Sequence, residues 1–153
     1  MKVSVVTIHL NDFAGLNRTF NSLKLSRCFN HLEWIIIDGD SELTDGGLFF
    51  EQVKSSADHF LSEPDKGIYD AMNKGTRLAS GDYILYLNAG DELHPDFESA
   101  LLDHLAAGAS PDMIWGRCEV HYLDGSKIQV KTRSPSWAWY CMPAFHQIGR
   151  AHV

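Results

Sequence analysis

The sequence predicts an α/β domain in which helices flank a largely parallel β-sheet and an antiparallel hairpin follows near the C-terminus. Short runs of β-branched and apolar residues alternate with segments whose apolar residues recur every three or four positions, which is typical of alternating strands and helices. Late in the chain Val120 and Tyr122 alternate with polar residues before an Asp124-Gly125 turn signal. A chain of 153 residues fits one domain with a real core.

The strand-like runs are short and apolar. The predicted strands are Val3–Ile8, Trp34–Ile37, His59–Leu61, Tyr83–Leu87, Met113–Trp115 and the hairpin within Cys118–Val130. The Tyr83–Leu87 run is aromatic and aliphatic throughout, which is the pattern of a strand covered on both faces.

Apolar stripes predict the helices between these strands. The stripes are Leu16, Phe20 and Leu23; Phe49, Phe50 and Val53; Ile68, Ala71, Met72, Gly75, Leu78 and Ala79; and Phe97, Ala100, Leu101 and Leu105. Asn11 and Asn17 are candidate caps of the first helix, and Pro95-Asp96 is a typical helix start.

Composition excludes several classes of protein. The net charge of −7 argues against broad nucleic-acid binding, and an anionic ligand would need a cation or local positive groups. No apolar run is long enough to cross a bilayer, and the start lacks a signal-peptide core, so we expect a cytoplasmic protein. The three cysteines are scattered, and no pair of histidines has the spacing of a zinc site. The sequence also lacks the glycine motifs of dinucleotide-binding and P-loop proteins and the Gly-x-Ser-x-Gly elbow of serine hydrolases.

Carboxylates follow the predicted strands at their carboxyl ends. Asp38 follows the second strand, Asp65 lies beyond the third, and Asp91 follows the fourth within Asn88-Ala89-Gly90-Asp91-Glu92. The carboxyl edge of an open α/β sheet is where ligands bind. The sequence therefore places the functional site at this edge.

Motifs at these strand ends resemble those of a known family. They are Ser4-Val5-Val6-Thr7 with Asn11, Ile36-Ile37-Asp38-Gly39 with Ser41, the stretch Ser62–Gly75 containing Asp65-Lys66-Gly67-Ile68-Tyr69-Asp70, and Gly81-Asp82-Tyr83 through Asn88-Ala89-Gly90-Asp91. Each motif is weak alone, but the ordered set over residues 3–93 is specific. The chain resembles the nucleotide-binding half of a family 2 glycosyltransferase with the Rossmann-like GT-A fold. It is most similar to the bacterial group that builds exopolysaccharide and colanic-acid-like polymers.

The resemblance implies a binding site for a nucleotide base. Asp38 would accept the imide N–H of a uracil ring, and Thr7 with the backbone near Leu10 and Asn11 would line the other side of the base. Turn chemistry offers a plainer alternative, in which Asp38 caps its own loop and Asn11 caps the first helix.

The loop before the third helix is suited to a diphosphate or its ribose. A helix N-terminus carries partial positive charge, and Lys66 adds a cation beside Asp65. Alternatively, Asp65 caps the helix in an ordinary surface loop. Asn73 lies one helical turn from Asp70, where a structural network is as plausible as donor contact. We count Asn73 and Asn88 with the nucleotide-binding residues.

Asp91 is the candidate metal ligand. A divalent cation, Mg²⁺ or Mn²⁺, offsets the charge that develops on a departing diphosphate, and such hard cations prefer carboxylate and phosphate oxygens. The family's usual pattern has two aspartates here, whereas this chain has Gly90 before Asp91. We expect one carboxylate plus the diphosphate to hold the metal, with Glu92 a weaker substitute and an ordinary acidic turn the alternative.

No catalytic base is identified. Inverting members of the family use a carboxylate well after the metal motif, but no Asp or Glu follows Asp124, and neither Glu119 nor Asp124 is a convincing base. His146 and Gln147 resemble a family element near the acceptor site. Residues 148–153 match a translated sequencing adaptor, so we expect an incomplete domain over 1–147 and a non-native tail, a natural short terminus being the alternative.

The resemblance implies transfer of a sugar from a uridine- or guanosine-diphosphate donor to a glycan or lipid-linked acceptor, with inversion. A fragment without its base could instead bind the nucleotide sugar without catalysis. A sugar nucleotidyltransferase is less favoured, because its glycine-rich basic signature near the first strand is absent. Peripheral association of the full-length protein with the inner face of the membrane stays open, and no nucleic-acid partner is expected.

Overall fold

The computed structural model describes residues 2–25, 32–42, 47–97, 99, 101, 113–115, 118–122, 124–130 and 147–150. The helices within them are α1 (Phe13–Leu25), α2 (Gly47–Ser56) and α3 (Ile68–Leu78). The strands are β1 (Val3–His9), β2 (Leu32–Asp38), β3 (His59–Ser62), β4 (Tyr83–Tyr86), β5 (Met113–Trp115), β6 (Cys118–His121), β7 (Lys127–Val130) and β8 (Gln147–Arg150). None of the helices in these ranges has the length and apolar character needed to span a membrane.

The main sheet confirms the predicted fold class. Its strand order is β3-β2-β1-β4-β8-β5, and β3, β2, β1 and β4 are mutually parallel. Strand β8 runs antiparallel to both β4 and β5. Strands β6 and β7 form a separate antiparallel hairpin, as the Asp124-Gly125 turn signal predicts.

Alternation along the strands gives the sheet two apolar faces. Helices α1 and α2 cover one face, where the buried residues are Val3, Val5, Leu16, Phe20, Leu23, Leu32, Trp34, Ile36, Phe50, Val53, Tyr83, Leu85, Leu87 and Leu101. Helix α3 covers the other face, where they are Val6, Ile8, Ile35, Ile37, Ala71 and Ile84. The predicted inward residues of α1 and α2 are therefore confirmed.

The cap of α1 differs from the prediction. Asp12 is the capping residue, because its Oδ1 accepts the Gly15 N–H at 2.8 Å. Asn11 instead has a positive φ of 54°, and Asn17 lies inside the helix, where its side chain accepts a hydrogen bond from Asn21. Asp and Asn have similar capping preferences, so local sequence could not decide between adjacent candidates.

The apolar stripe of α3 is buried only in part. Ala71 and Gly75 are buried, but Ile68, in the first turn, is half exposed. Lys74 is also buried, at 8% exposure, within a helix predicted from apolar residues alone. Of the predicted fourth helix, Phe97, Ser99 and Leu101 are helical, and the remainder lies outside the described residues.

A carboxylate is buried at the opposite edge of the sheet from the predicted site. Glu33, at the start of β2, accepts hydrogen bonds from Lys2 Nζ at 2.8 Å, from the Ser80 N–H at 2.7 Å and from the Ser4 hydroxyl. Burial raises the pKa of Glu33, but these hydrogen bonds outweigh it and lower the pKa to about 2. This ionised group joins β2 to β1 and to the segment that precedes β4.

Candidate functional site

The carboxyl ends of β1, β2, β3 and β4 meet at one edge of the sheet. His9 pairs with Asp38, and Asp38 pairs with Ser62, so three strands end side by side. Beyond β4 the chain continues along β1, since the Ala89 N–H donates to Ile8 O at 3.2 Å. The loops after all four strands are thereby neighbours, as predicted from the positions of the carboxylates.

Asp38 lies at the centre of this edge and is buried, at 2% exposure. The backbone N–H of Ser41 donates to Asp38 Oδ1 at 3.1 Å, and the Ser62 hydroxyl donates to Oδ2 at 2.7 Å. The Ser41 hydroxyl is a further donor to Oδ1. Asp38 therefore caps its own loop, which is the plainer alternative given above. Its hydrogen bond to a nucleotide base stays a prediction.

His9 packs directly against Asp38. Its side chain is fully buried, with Nε2 3.5 Å from Asp38 Oδ1, and its ring meets Phe13 and Phe50 edge to face. Among the residues that the structure describes, neither ring nitrogen has a hydrogen-bond partner. Burial lowers the pKa of His9 more than Asp38 and Asp12 raise it, so the ring is neutral at pH 7.

Leu10 and Asp65 flank the backbone beside Asp38. A β-carbon placed on Gly39 would lie 2.8 Å from Asp65 Oδ2 and 3.4 Å from Leu10 Cδ1, so both side chains contact this glycine. Leu10 is 57% exposed, which leaves an apolar surface at the edge. These three residues come from the loops after β1, β2 and β3 and lie together at this edge, and we call the surface that they form the Gly39 recess.

Two further predicted base-binding residues lie outside this recess. Thr7 is fully buried in β1, and its hydroxyl accepts a hydrogen bond from Trp34 Nε1 at 3.0 Å. Asn11 joins the β1 and β2 loops instead: its N–H donates to the Ser41 hydroxyl at 2.7 Å, and its side chain accepts the Glu42 N–H at 2.9 Å. Their contacts with a base stay predictions.

Hydrogen bonds to acidic side chains fix the loop before α3. Asp65 Oδ1 accepts the Gly67 N–H at 2.7 Å, and Asp70 accepts the Lys66 N–H at 3.1 Å. Lys66 and Asn73 are both exposed. Asp65 thus orders the turn before α3 but does not cap the helix, because the N-cap residue Gly67 has no side-chain cap hydrogen bond. The Lys66 side chain lies at the surface beside the helix N-terminus, and its contact with a diphosphate stays a prediction.

Lys74 is a residue that the sequence analysis missed. Its Nζ donates to Pro64 O at 2.7 Å and lies 3.0 Å from Glu63 Oε1. A buried ammonium needs such partners. Lys74 thus holds the Glu63–Lys66 loop against α3. The available signal was a charged residue next to the buried position Gly75.

The loop after β4 is held by Thr19 of α1, another missed residue. The Thr19 hydroxyl is a donor to two backbone carbonyl oxygens, that of Asp91 at 2.8 Å and that of Asn88 at 3.2 Å. It also accepts the Gly90 N–H at 3.0 Å. Thr19 is fully buried among apolar residues of α1. A polar residue in that stripe was the signal.

Asn88 and Asp91 supply oxygens at this loop. Asn88 Oδ1 is buried and has no hydrogen-bond partner among the described residues, which is costly unless a ligand supplies one. Across the described part of the chain, no three His, Cys, Asp or Glu side chains are placed to hold a metal. Two side-chain oxygens fit the chemistry of Mg²⁺ or Mn²⁺ if phosphate oxygens complete the coordination, as the sequence analysis expects.

The remaining candidates lie elsewhere. Gln147 belongs to β8 and pairs with Trp115, and His146 lies outside the described residues. Glu119 and Asp124 are on the separate hairpin. Hydrogen bonds from Lys127 and His121 lower the pKa of Glu119, and those from Ser126 lower that of Asp124. A lowered pKa makes each carboxylate a weaker base.

The chain is similar in sequence to known proteins of one family. The sequence profile of Glycosyl transferase family 2 matches residues 4–150. An uncharacterized glycosyltransferase of Mycobacterium tuberculosis is 36% identical over 115 residues, which are 74% of this chain and 44% of that protein. A PGL/p-HBAD biosynthesis glycosyltransferase of Mycobacterium bovis is 32% identical over 106 residues, covering 68% of this chain and 40% of its own.

Solved structures share the fold. TarS 1–349 of S. aureus, in complex with UDP-GlcNAc, superposes with a TM-score of 0.67 over 99% of this chain and 46% of its own, at 17% identity. The mannosyltransferase PcManGT of Pyrobaculum calidifontis, in complex with GDP-Man and Mn²⁺, has a TM-score of 0.56 over 72% of this chain and 33% of its own, at 18% identity. The chain thus spans less than half the length of these relatives.

Proposed function

Because the chain belongs to glycosyl transferase family 2, we propose that it is the donor-binding part of an enzyme that transfers a sugar from a nucleotide-diphosphate sugar to an acceptor. One observation carries the proposal. The Gly39 recess and the loop that holds Asn88 and Asp91 lie along one edge of the parallel sheet, where α/β proteins bind nucleotides.

The base would occupy the Gly39 recess. Leu10 offers an apolar surface, while Asp38 lies beneath with a carboxylate that accepts hydrogen bonds. Thr7, whose hydroxyl accepts the Trp34 Nε1–H, would act from within the core, and Asn11 would act by holding Ser41. Uridine and guanosine are both candidates, since two structural neighbours were solved in complex with UDP-GlcNAc and GDP-Man.

The diphosphate would extend from the N-terminus of α3 toward the loop after β4. Lys66 and the helix dipole favour its charge, and Asn73 lies one turn further along the helix. Asn88 and Asp91 would hold a divalent cation, which when bound offsets the negative charge on the leaving diphosphate. The Asn88 Oδ1, which has no hydrogen-bond partner in the described part of the chain, supports this placement.

The finer proposals concern the whole enzyme. We assign it to the exopolysaccharide and colanic-acid-like group, with inversion at the sugar and a glycan or lipid-linked acceptor approaching near His146 and Gln147. It would act in the cytoplasm, at the inner face of the membrane where such acceptors occur. The motif order in the sequence supports the group assignment.

Titration of the chain with UDP and GDP, with and without Mn²⁺, tests the donor site. Asp38→Ala should weaken nucleotide binding by ~1–3 kcal/mol, the scale of a lost hydrogen bond to a charged group. Asp91→Asn should remove the Mn²⁺-dependent part of binding and leave metal-free binding nearly unchanged, because the residue meets the nucleotide through the cation. Isothermal calorimetry measures both effects.

Two controls make the result interpretable. Asp96→Asn changes an exposed carboxylate that is not among the proposed donor-binding residues and should bind like the original chain. Asp38→Asn keeps the shape of the buried side chain that Asp38→Ala truncates, and circular dichroism checks that each variant is folded. Unchanged affinity in folded Asp38 variants, or full Mn²⁺ enhancement in Asp91→Asn, would contradict the residue assignments.

A second candidate is binding of a nucleotide sugar without transfer by this chain. It is favoured by the lowered pKa values of Glu119 and Asp124, the late carboxylates considered as a base. Release of sugar from the donor separates the two functions. Turnover that Glu119→Gln abolishes would support catalysis by the chain itself.

A further inference from the structure

We propose that Arg18 is a donor-binding residue whose guanidinium contacts the diphosphate at the loop after β4. The inference rests on the proposed function, since the ligand is the same nucleotide-diphosphate sugar. It adds a cation on α1 that the sequence analysis did not identify, on the opposite side of the edge from Lys66.

Arg18 lies across the loop backbone. Its Nη2 is 3.3 Å from the point that a β-carbon on Gly90 would occupy, and Asp12 Oδ2 is 3.9 Å from the same point. Gly90 has a φ of +94°, a conformation that residues with a β-carbon rarely adopt. The glycine therefore provides both the turn and the space in which the guanidinium lies.

The neighbouring residue fixes this arrangement. Thr19 follows Arg18 on α1 and binds the loop backbone at Asn88, Gly90 and Asp91. Because Thr19 is fully buried, the start of the Arg18 side chain has a defined position relative to the loop. Arg18 itself is exposed, so its guanidinium can reach a ligand from solvent.

Charge favours this role. The edge is rich in carboxylates, which would repel a diphosphate, and Lys74 is already committed to Pro64 and Glu63. Within the described ranges, Arg18 forms no hydrogen bond or ion pair. A guanidinium is planar and always charged, and it binds phosphate through two parallel N–H groups. The buried Asn88 Oδ1 at the same loop is a second group with no hydrogen-bond partner among the residues that the structure describes.

The test compares ligands with and without phosphates. The full chain, Arg18→Gln and the matched control Arg77→Gln, an exposed arginine in the last turn of α3, are titrated with uridine, UDP and inorganic pyrophosphate in EDTA. Arg18→Gln should weaken UDP and pyrophosphate binding by about 10- to 100-fold, the scale of a lost hydrogen bond to a charged group. Uridine affinity should not change, and Arg18→Lys should recover part of the loss.

Each outcome decides the inference. Equal UDP affinity in Arg18→Gln and the original chain would overturn it, as would equal losses for uridine and UDP, which indicate a structural role. Failure of the original chain to bind UDP or pyrophosphate would overturn it as well. If pyrophosphate binding depends on Arg18 but UDP binds no more tightly than pyrophosphate and uridine does not bind, Arg18 contacts phosphate groups as inferred. The proposed function, which requires recognition of a nucleotide, then fails.

Discussion

Glu33 shows how one residue links the stability of this fold to pH. Its pKa is about 2 in the folded chain, against an ordinary value of 4.5, so the folded state favours the ionised form. The resulting stabilisation is present above pH 4.5 and is lost as the pH falls from 4.5 toward 2. At 1.36 kcal/mol per pKa unit, it is on the order of 3 kcal/mol.

Glu33→Gln should remove this pH dependence. We expect the variant to be less stable than the original chain at pH 7, and the two free energies of unfolding to converge as the pH falls from 4.5 to 3. Urea denaturation at pH 7, 4.5 and 3 measures this. Glu51→Gln, at an exposed position of α2, is the control and should follow the original profile. Parallel profiles for Glu33→Gln and the original chain would contradict the assignment.

The sequence signals Glu33 only in part. A charged residue beside Trp34 and the isoleucines of β2 is conspicuous in an apolar run. Its partners Lys2, Ser4 and Ser80 come from two other segments of the chain, and only the fold brings them together. Polar residues inside apolar patterns can therefore be identified from sequence, whereas their contacts cannot.

At the scale of elements, α1 is the support of the loop after β4. Besides Thr19, the Ser22 hydroxyl accepts the Leu93 N–H at 3.2 Å, so two hydroxyls of one helix hold this segment. The predicted metal ligand Asp91 lies between these contacts. The position of the loop thus depends on a helix that contributes no predicted metal ligand.

Thr19→Val should weaken this support without changing the size of the side chain. We expect a loss of ~1–3 kcal/mol in the free energy of unfolding, because the Gly90 N–H loses its partner. The Mn²⁺-dependent part of UDP binding should fall several-fold, while uridine affinity stays unchanged. Thermal melts and calorimetry measure these effects. Thr76→Val on α3 is the matched control, and equal Mn²⁺-dependent binding in both variants would count against the supporting role.

The positions of helices and strands were predicted from the sequence more accurately than the helix ends and the loop contacts were. Apolar periodicity reflects burial against a sheet, so α1, α2, α3 and the parallel strands agree with prediction. The cap of α1 depends on which of two adjacent residues has a suitable backbone conformation. Asn11 has a φ of 54° and joins two loops, and Asp12 caps instead.

At the scale of the whole molecule, the proposed donor-binding edge is built from the parallel part of the sheet. Strands β1 to β4 supply the Gly39 recess and the loop after β4, whereas β8 pairs alongside β4. The predicted tail 148–153 includes three residues of β8. The late aromatic residues Trp137, Trp139 and Phe145, like His146, lie outside the described residues.

Deletion of residues 148–153 tests the domain assignment. We expect UDP affinity to be unchanged, because the recess and the loop come from β1 to β4. Calorimetry on the shortened chain measures the affinity, and a thermal melt reports its stability. A deletion that abolishes binding in a folded chain would show that β8 belongs to the donor-binding unit and that the tail assignment is wrong.

The position of β1 has a consequence for synthesis on the ribosome. This strand is made before the strands that pair with it and is buried along its whole length, since it lies between β2 and β4. Val3 pairs with Tyr83, so one edge of β1 has no neighbour until that residue has emerged. At roughly 5–20 residues per second, this interval lasts several seconds. An unpaired apolar edge invites misassembly, so we expect Val3–His9 to need protection, for example by a chaperone, until Tyr83 has emerged.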